Sequence, residues 1–172
     1  MEKRKKILVS SVLLLIVVFS ILILFQTVLK NKQKEEAYKS IPPFSLSDID
    51  GNQITAKTLK KNTSILFLFF NTECELCHSE LDRINTNQKY LNECQMIFFS
   101  MQQADTIRNF LKNIEFDRTS NMFFLVDEKA ELIKTMEIQS TPTAIIYDKN
   151  GNLSKRFNGP AKVETLIKYL SE

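Results

Sequence analysis

The chain has 172 residues, 44% hydrophobic and 25% charged, which suits one globular domain of ordinary size beyond its N-terminal segment. A formal net charge of +3 gives no pointer to nucleic acid, and three cysteines are too few for a disulfide scaffold.

Residues 1–6, with Lys3, Arg4, Lys5 and Lys6, read as a short basic cytoplasmic tail. Residues 7–29 are apolar apart from Ser10, Ser11, Ser20, Gln26 and Thr27 and carry no charge. About 20 such residues cross a bilayer as a helix, so a transmembrane signal anchor is expected. A cleaved signal peptide would have a shorter apolar region and a small-x-small cleavage site, which Phe25 to Lys30 does not offer. Lysines and arginines balance on the two flanks, so charge alone does not orient the span. The very short tail argues for a single-pass protein of the cell membrane with its C-terminal domain on the extracytoplasmic side. Residues 30–40 are polar and charged, a linker with little to bury. The folded domain is expected over 41–172.

Pro42-Pro43 excludes helix locally. Phe44-Ser45-Leu46 and Gln53-Ile54-Thr55 flank Asp50-Gly51-Asn52, which predicts a β-hairpin, with a short helical turn over Ala56 to Lys61. Ile65 to Phe70 is a run of six apolar residues, a strand buried on both faces. A helix is expected from Cys74 to Asn92, with Cys77, Leu81, Ile84 and Leu91 on one face. Strands follow over Met96 to Met101 and Met122 to Val126. Between them lies a helix over Asp105 to Ile114, where Ile107, Phe110, Leu111 and Ile114 recur at helical spacing. Glu128 to Met136 reads as a short helix. Thr143 to Tyr147 and Leu153 to Phe157 are strands joined by Asp148-Lys149-Asn150-Gly151, a strong hairpin signal. Ala161 to Leu170 is the last helix.

Cys74 and Cys77 stand at the junction of a buried strand and an amphipathic helix. The first turn of a helix leaves backbone N–H groups unpaired and carries partial positive charge, which favours a thiolate. Residues three apart on a helix are neighbours, at a separation a disulfide can close. The pair is a candidate redox switch. A structural disulfide or half a zinc site would use the same residues. Zinc needs two further ligands, only Cys94 and His78 remain, and His78 adjoins Cys77 too closely to share its tetrahedron easily.

Four motifs occur in a recognisable order: Pro43-Phe44-Ser45-Leu46 with Asp50-Gly51, then Phe69 through Cys77, then Ser140-Thr141-Pro142-Thr143, then Asp148-Lys149-Asn150-Gly151. Over residues 41–172 the chain resembles the membrane-anchored, extracytoplasmic thioredoxin-like proteins of the TlpA and ResA kind. The resemblance implies an α/β thioredoxin-like fold, a central mixed sheet flanked by helices, with an N-terminal β-hairpin extension and a preceding transmembrane helix. It implies a membrane-tethered thiol–disulfide oxidoreductase that reduces disulfides of extracytoplasmic proteins and is itself re-reduced by a transmembrane electron-supplying reductase. No cofactor or metal is implied. Cys74 would attack and Cys77 would resolve the mixed disulfide. Pro142 would carry a cis peptide and set the Thr141 backbone beside Cys74 to bind substrate; without the resemblance a trans proline would be the default. Glu80, bordering the buried helix face near Cys77, would tune or relay the thiol proton.

The chain departs from the family at several points. Glu73 stands where tryptophan is usual and Leu76 where proline is frequent. Leu68 replaces the buried acid of thioredoxin. Glu73 and Glu75 disfavour a thiolate at Cys74, and Glu75 and Leu76 border the substrate surface. His78, one helical turn after Cys74, reads as an exposed helix position, or as a cation that would favour the Cys74 thiolate, and Cys94 as a buried inert thiol, or as one half of an intermolecular disulfide. Two other functions use the same residues. A peroxidase of the peroxiredoxin kind would have its threonine three residues before the cysteine, whereas Thr72 lies two before Cys74. A copper-handling or binding domain would space its cysteines more widely and use a distant histidine, and the only histidine here is His78.

Overall fold

The computed structural model describes residues 14–29 and 38–171. The chain divides into two compact units, Met1–Glu36 and Ala37–Glu172.

In the first unit residues 14–29 form a helix, α1, whose apolar side chains are exposed. Here the expectation of a membrane span over residues 7–29 is corrected. At 1.5 Å per residue the described residues 14–29 span about 24 Å of helix, against about 30 Å of bilayer hydrocarbon. Among the described residues no helix is long and apolar enough to cross a membrane. The transmembrane signal anchor, the single-pass location in the cell membrane and the tethering of the C-terminal domain lose their basis. So does the transmembrane electron-supplying reductase as partner. The basic tail over 1–6, the start of the expected span and most of the linker lie outside the described residues.

The second unit holds seven strands and four helices: β1 (Ser45–Asp48), β2 (Gln53–Thr55), β3 (Ile65–Phe69), α2 (Glu75–Thr86), β4 (Gln95–Ser100), α3 (Ala104–Asn113), β5 (Met122–Val126), α4 (Glu131–Thr135), β6 (Thr143–Tyr147), β7 (Leu153–Asn158) and α5 (Val163–Ser171). One sheet runs in the order β2-β1-β5-β4-β3-β6-β7. Strands β3, β4 and β5 are parallel, while β1, β6 and β7 join antiparallel. This is the mixed sheet of a thioredoxin-like fold, with the expected N-terminal hairpin β1–β2.

Side chains alternate along a strand, so the unbroken apolar run of β3 feeds two cores. Leu66 and Leu68 pack with Phe98, Phe124 and the buried faces of α2, α3 and α5. Ile65 and Phe67 pack on the other face with Ile97, Phe99, Leu125, the hairpin residues Leu46 and Ile54, and Leu132 next to Met136.

Two helices are shorter than their sequence pattern. α2 stops at Thr86, where Asn85, Thr86 and Asn87 are poor helix formers. The Asn87 amide N–H turns back to the Ile84 carbonyl and its side-chain amide to the Arg83 carbonyl at 2.9 Å. A 3-10 turn, Gln88–Tyr90, then carries Leu91 into the core. α4 begins only at Glu131, because the Asp127 carboxylate accepts the amide hydrogens of Glu131, Leu132 and Ile133 at 2.7, 3.0 and 3.1 Å. That cap uses residues 128–130 as the approach to the helix, with Ala130 in the left-handed region at φ 55°.

Candidate active site

Strand β3 ends at Phe69 and the chain turns over Asn71 to Cys74. The Cys74 amide N–H donates to the Asn71 carbonyl at 3.1 Å, and the Asn71 side-chain oxygen accepts the Glu73 amide at 2.8 Å. Such side-chain mimicry of a turn is what asparagine supplies. Cys74 is the N-cap of α2, its carbonyl accepting the amides of Cys77 and His78 at 2.9 and 3.1 Å. The dithiol therefore sits at the start of a helix, as its place in the sequence predicts.

The two thiols are unequal. Cys74 is half-buried and Cys77 is 0% exposed. Burial pushes the Cys77 thiol up to about 11, against the opposing effect of the Thr141 hydroxyl. Both sulfurs face one residue across the site. The Cys74 thiol donates to the Thr141 carbonyl at 3.9 Å, and Cys77 Sγ lies 3.4 Å from Thr141 Oγ1. Register places Thr141 there: β6 pairs antiparallel with β3, setting Thr143 opposite Phe69, so the preceding loop lies over the end of β3. The Thr141–Pro142 peptide is cis, as the resemblance implied. The Pro142 carbonyl accepts the Gly159 amide at 2.9 Å. From β7, Arg156 donates to the Met136 and Glu137 carbonyls at 2.6 and 2.8 Å, fastening the segment that leads into this loop.

Glu80 is 1% exposed on the Cys77 face of α2. Its Oε2 accepts the Ala161 amide at 2.9 Å and its Oε1 has no hydrogen-bond partner. Burial holds this carboxyl above its ordinary range, against the weaker pull of the Ala161 amide and Arg83. Leu68 lies in the same core cluster as Cys77, so the strand beneath the dithiol is apolar at that position. Glu73 and Glu75 are exposed, and Leu76 is 51% exposed. All three border Cys74 along the chain, with Glu75 and Leu76 in the first turn of α2.

His78 is not a free surface residue. Its ring Nε2–H donates to the Thr72 carbonyl at 2.6 Å, and the ring lies 4.8 Å from that of Phe110. Gln102 holds Thr72 from the other side: its Oε1 accepts the Thr72 amide at 2.8 Å and its Nε2 donates to the Thr72 hydroxyl at 2.7 Å. No motif announces Gln102. The available signal is topological: it follows β4, whose end lies beside that of β3 in parallel, and loops at such ends converge on one site. Cys94 is buried, donates to the Leu91 carbonyl at 3.1 Å, and is pushed up to about 12 by burial. All three cysteines are free thiols. Among the described residues no group of three or more His, Cys, Asp or Glu could hold a metal ion.

Residues 38–156 match the model of the AhpC/TSA family. The chain belongs to the AhpC/TSA family. The chain is similar to the thiol-disulfide oxidoreductase ResA of Bacillus thuringiensis subsp. konkukian, at 25% identity over 174 residues, covering 99% of this chain and 98% of the relative. It is also similar to the sporulation thiol-disulfide oxidoreductase A of Bacillus subtilis, at 22% identity over 154 residues, 81% of this chain and 86% of that one. Among solved structures, StoA from Bacillus subtilis shares the fold with a TM-score of 0.62 at 20% identity, covering 78% of this chain and 99% of that one. Likeness to these relatives and the Cys74–Cys77 pair make this AhpC/TSA-family chain a thioredoxin-like thiol–disulfide oxidoreductase. The resemblance to ResA proteins thus holds for the oxidoreductase domain and not for membrane anchoring.

Proposed function

We propose that the protein reduces disulfides of protein substrates, with Cys74 as the attacking thiol and Cys77 as the resolving thiol. The supporting observation is the unequal burial of the two sulfurs beneath one shared residue, Thr141. Cys74, as thiolate, attacks one sulfur of a substrate disulfide. That S–S bond breaks, the departing sulfur takes a proton, and a mixed disulfide forms. Cys77 then loses its proton and attacks Cys74 Sγ. The mixed bond breaks, the second substrate thiol leaves, and the Cys74–Cys77 disulfide holds the oxidation. Two electrons pass to the substrate.

Glu80 is the acceptor we assign to the Cys77 proton. It lies one helical turn away on the same buried face, its carboxyl is raised by burial, and Oε1 is uncommitted. Thr141, Pro142, Glu75 and Leu76 form the surface offered to substrate.

The test is to trap substrates with Cys77→Ser and to titrate the wild-type chain against glutathione. Mixed disulfides through Cys74 and a potential near or below about −270 mV support the reading. A potential near about −120 mV would reverse the direction. Failure of mixed disulfides to accumulate would remove the exchange mechanism.

A further inference from the structure

The turn that carries Cys74 is held by side chains reaching it from three places. The Thr72–Glu73 peptide is fixed at both polar ends, its carbonyl by the His78 ring and its N–H by the Asn71 side chain. The preceding peptide is fixed by Gln102 through the Thr72 amide. Asn71 belongs to the turn itself, and Gln102 comes from the loop after β4. His78 alone comes from α2, the helix that Cys74 caps. Its backbone amide donates to the Cys74 carbonyl at 3.1 Å while its ring reaches back to Thr72. One residue thus bonds to the chain on both sides of Glu73–Cys74 and closes the turn onto the helix.

The ring is braced as well as bonded. Phe110 of α3 lies against it at 4.8 Å and in turn stacks on Phe70 at 6.1 Å. Because a carbonyl only accepts, Nε2 must carry the hydrogen, and both the neutral Nε2–H tautomer and the imidazolium satisfy this contact.

We propose that His78 is the positioning residue for the nucleophile, acting through the Thr72 carbonyl to hold Cys74 at the N-cap, facing Thr141. The inference rests on the exchange reading above. Without the Nε2–H donor the Thr72–Glu73 peptide can rotate about its flanking bonds. Cys74 then samples positions away from the helix start and from Thr141. Small displacements of a reacting group carry large rate costs.

His78→Phe keeps a ring against Phe110 and removes the donor; His78→Gln keeps a donor and removes the ring. In the full chain, His78→Phe should lower the turnover number for dithiol-driven insulin reduction about tenfold with little change in KM, and shift the pH profile of Cys74 alkylation. His78→Gln should recover the wild-type profile to within about twofold. The imidazole nitrogen shifts of the wild-type chain should report an Nε2–H ring, a measurement that needs no variant to fold. An Nδ1–H tautomer, or a His78→Phe profile equal to wild type, would overturn the proposal. So would a His78→Gln variant as impaired as His78→Phe. If instead the Cys77→Ser variant, with His78 intact, accumulates no mixed disulfides, the exchange reading fails and not the role of His78.

Discussion

One oxygen of Glu80 accepts the Ala161 amide hydrogen at 2.9 Å, while the other, equally sealed from solvent, meets no donor. An anion held this way costs the fold desolvation that a single hydrogen bond only partly offsets. Glu80→Gln keeps the shape and an acceptor for Ala161 while removing the charge. At pH 7 the variant should be more stable than wild type by about 1–2 kcal/mol in urea titrations. The pH dependence has a definite sign. The folded carboxyl holds its proton to higher pH than the unfolded one, so wild-type stability falls as pH rises through that window. The gap between variant and wild type should be full above the folded pKa and should close below about 4.3, the unfolded value. In the same variant the mixed disulfide trapped at Cys74 should persist roughly a hundredfold longer, because its resolution loses a proton acceptor. An unchanged lifetime would leave Glu80 a structural residue only.

The three thiols should be distinguishable by reaction. Cys77 is pushed up to about 11 and Cys94 to about 12, both by burial. At pH 7.5 a thiol near 11 is ionised to roughly one part in several thousand, and the thiolate is the reactive form. Brief treatment of the reduced native protein with iodoacetamide should therefore add one group, at Cys74, and treatment in guanidinium should add three. The same shifts predict that reduced protein loses stability as pH rises from about 8.5 toward 11. Over that range the unfolded thiols ionise while the folded ones stay protonated.

Arg156 acts at a distance from the sulfurs. Its two bonds to the Met136 and Glu137 carbonyls fasten the approach to Thr141–Pro142. Arg156→Gln should leave the far-ultraviolet spectrum unchanged and slow disulfide reduction about tenfold, through a looser Thr141. Equal rates in the two proteins would show that the loop is held without it.

The AhpC/TSA match makes peroxide a substrate to measure. Thr72 lies two residues before Cys74, and its hydroxyl is taken up by Gln102 at 2.7 Å. Peroxide should oxidise Cys74 no faster than it oxidises a free thiol of matched pKa, as followed by stopped-flow fluorescence. A rate orders of magnitude higher would establish peroxidase chemistry.

The sequence discloses this fold through contrasts between neighbouring segments. The unbroken apolar run of β3 and the hairpin signals at Asp50-Gly51-Asn52 and Asn150-Gly151 sit where the strands and turns form. The dithiol and Thr141 are legible because CxxC and Ser-Thr-Pro-Thr are local patterns. What is not legible depends on contacts across the fold. Asp127 contributes its cap from the end of a strand, and nothing nearby marks it. Gln102 reaches Thr72 only because parallel pairing brings the ends of β3 and β4 together. His78 has the helical spacing of a surface residue, and its ring is partly covered because Phe110 arrives from α3. For the apolar stretch near the N-terminus composition measures hydrophobicity, whereas crossing a bilayer also needs helical length, and the described part of that stretch is the helix over residues 14–29.

The strand order leaves β2 and β7 as the rims of a sheet whose inner strands β3, β4 and β6 are among the most apolar segments of the domain. Rims with unpaired backbone groups invite another molecule to add a strand. Here β2 is three residues long, and β7 carries Lys155 and Arg156 at its middle. A strand that short offers little to template, and Lys155, exposed on β7, opposes a second copy laid alongside. Neither rim is therefore an open template on which a further strand readily extends the sheet.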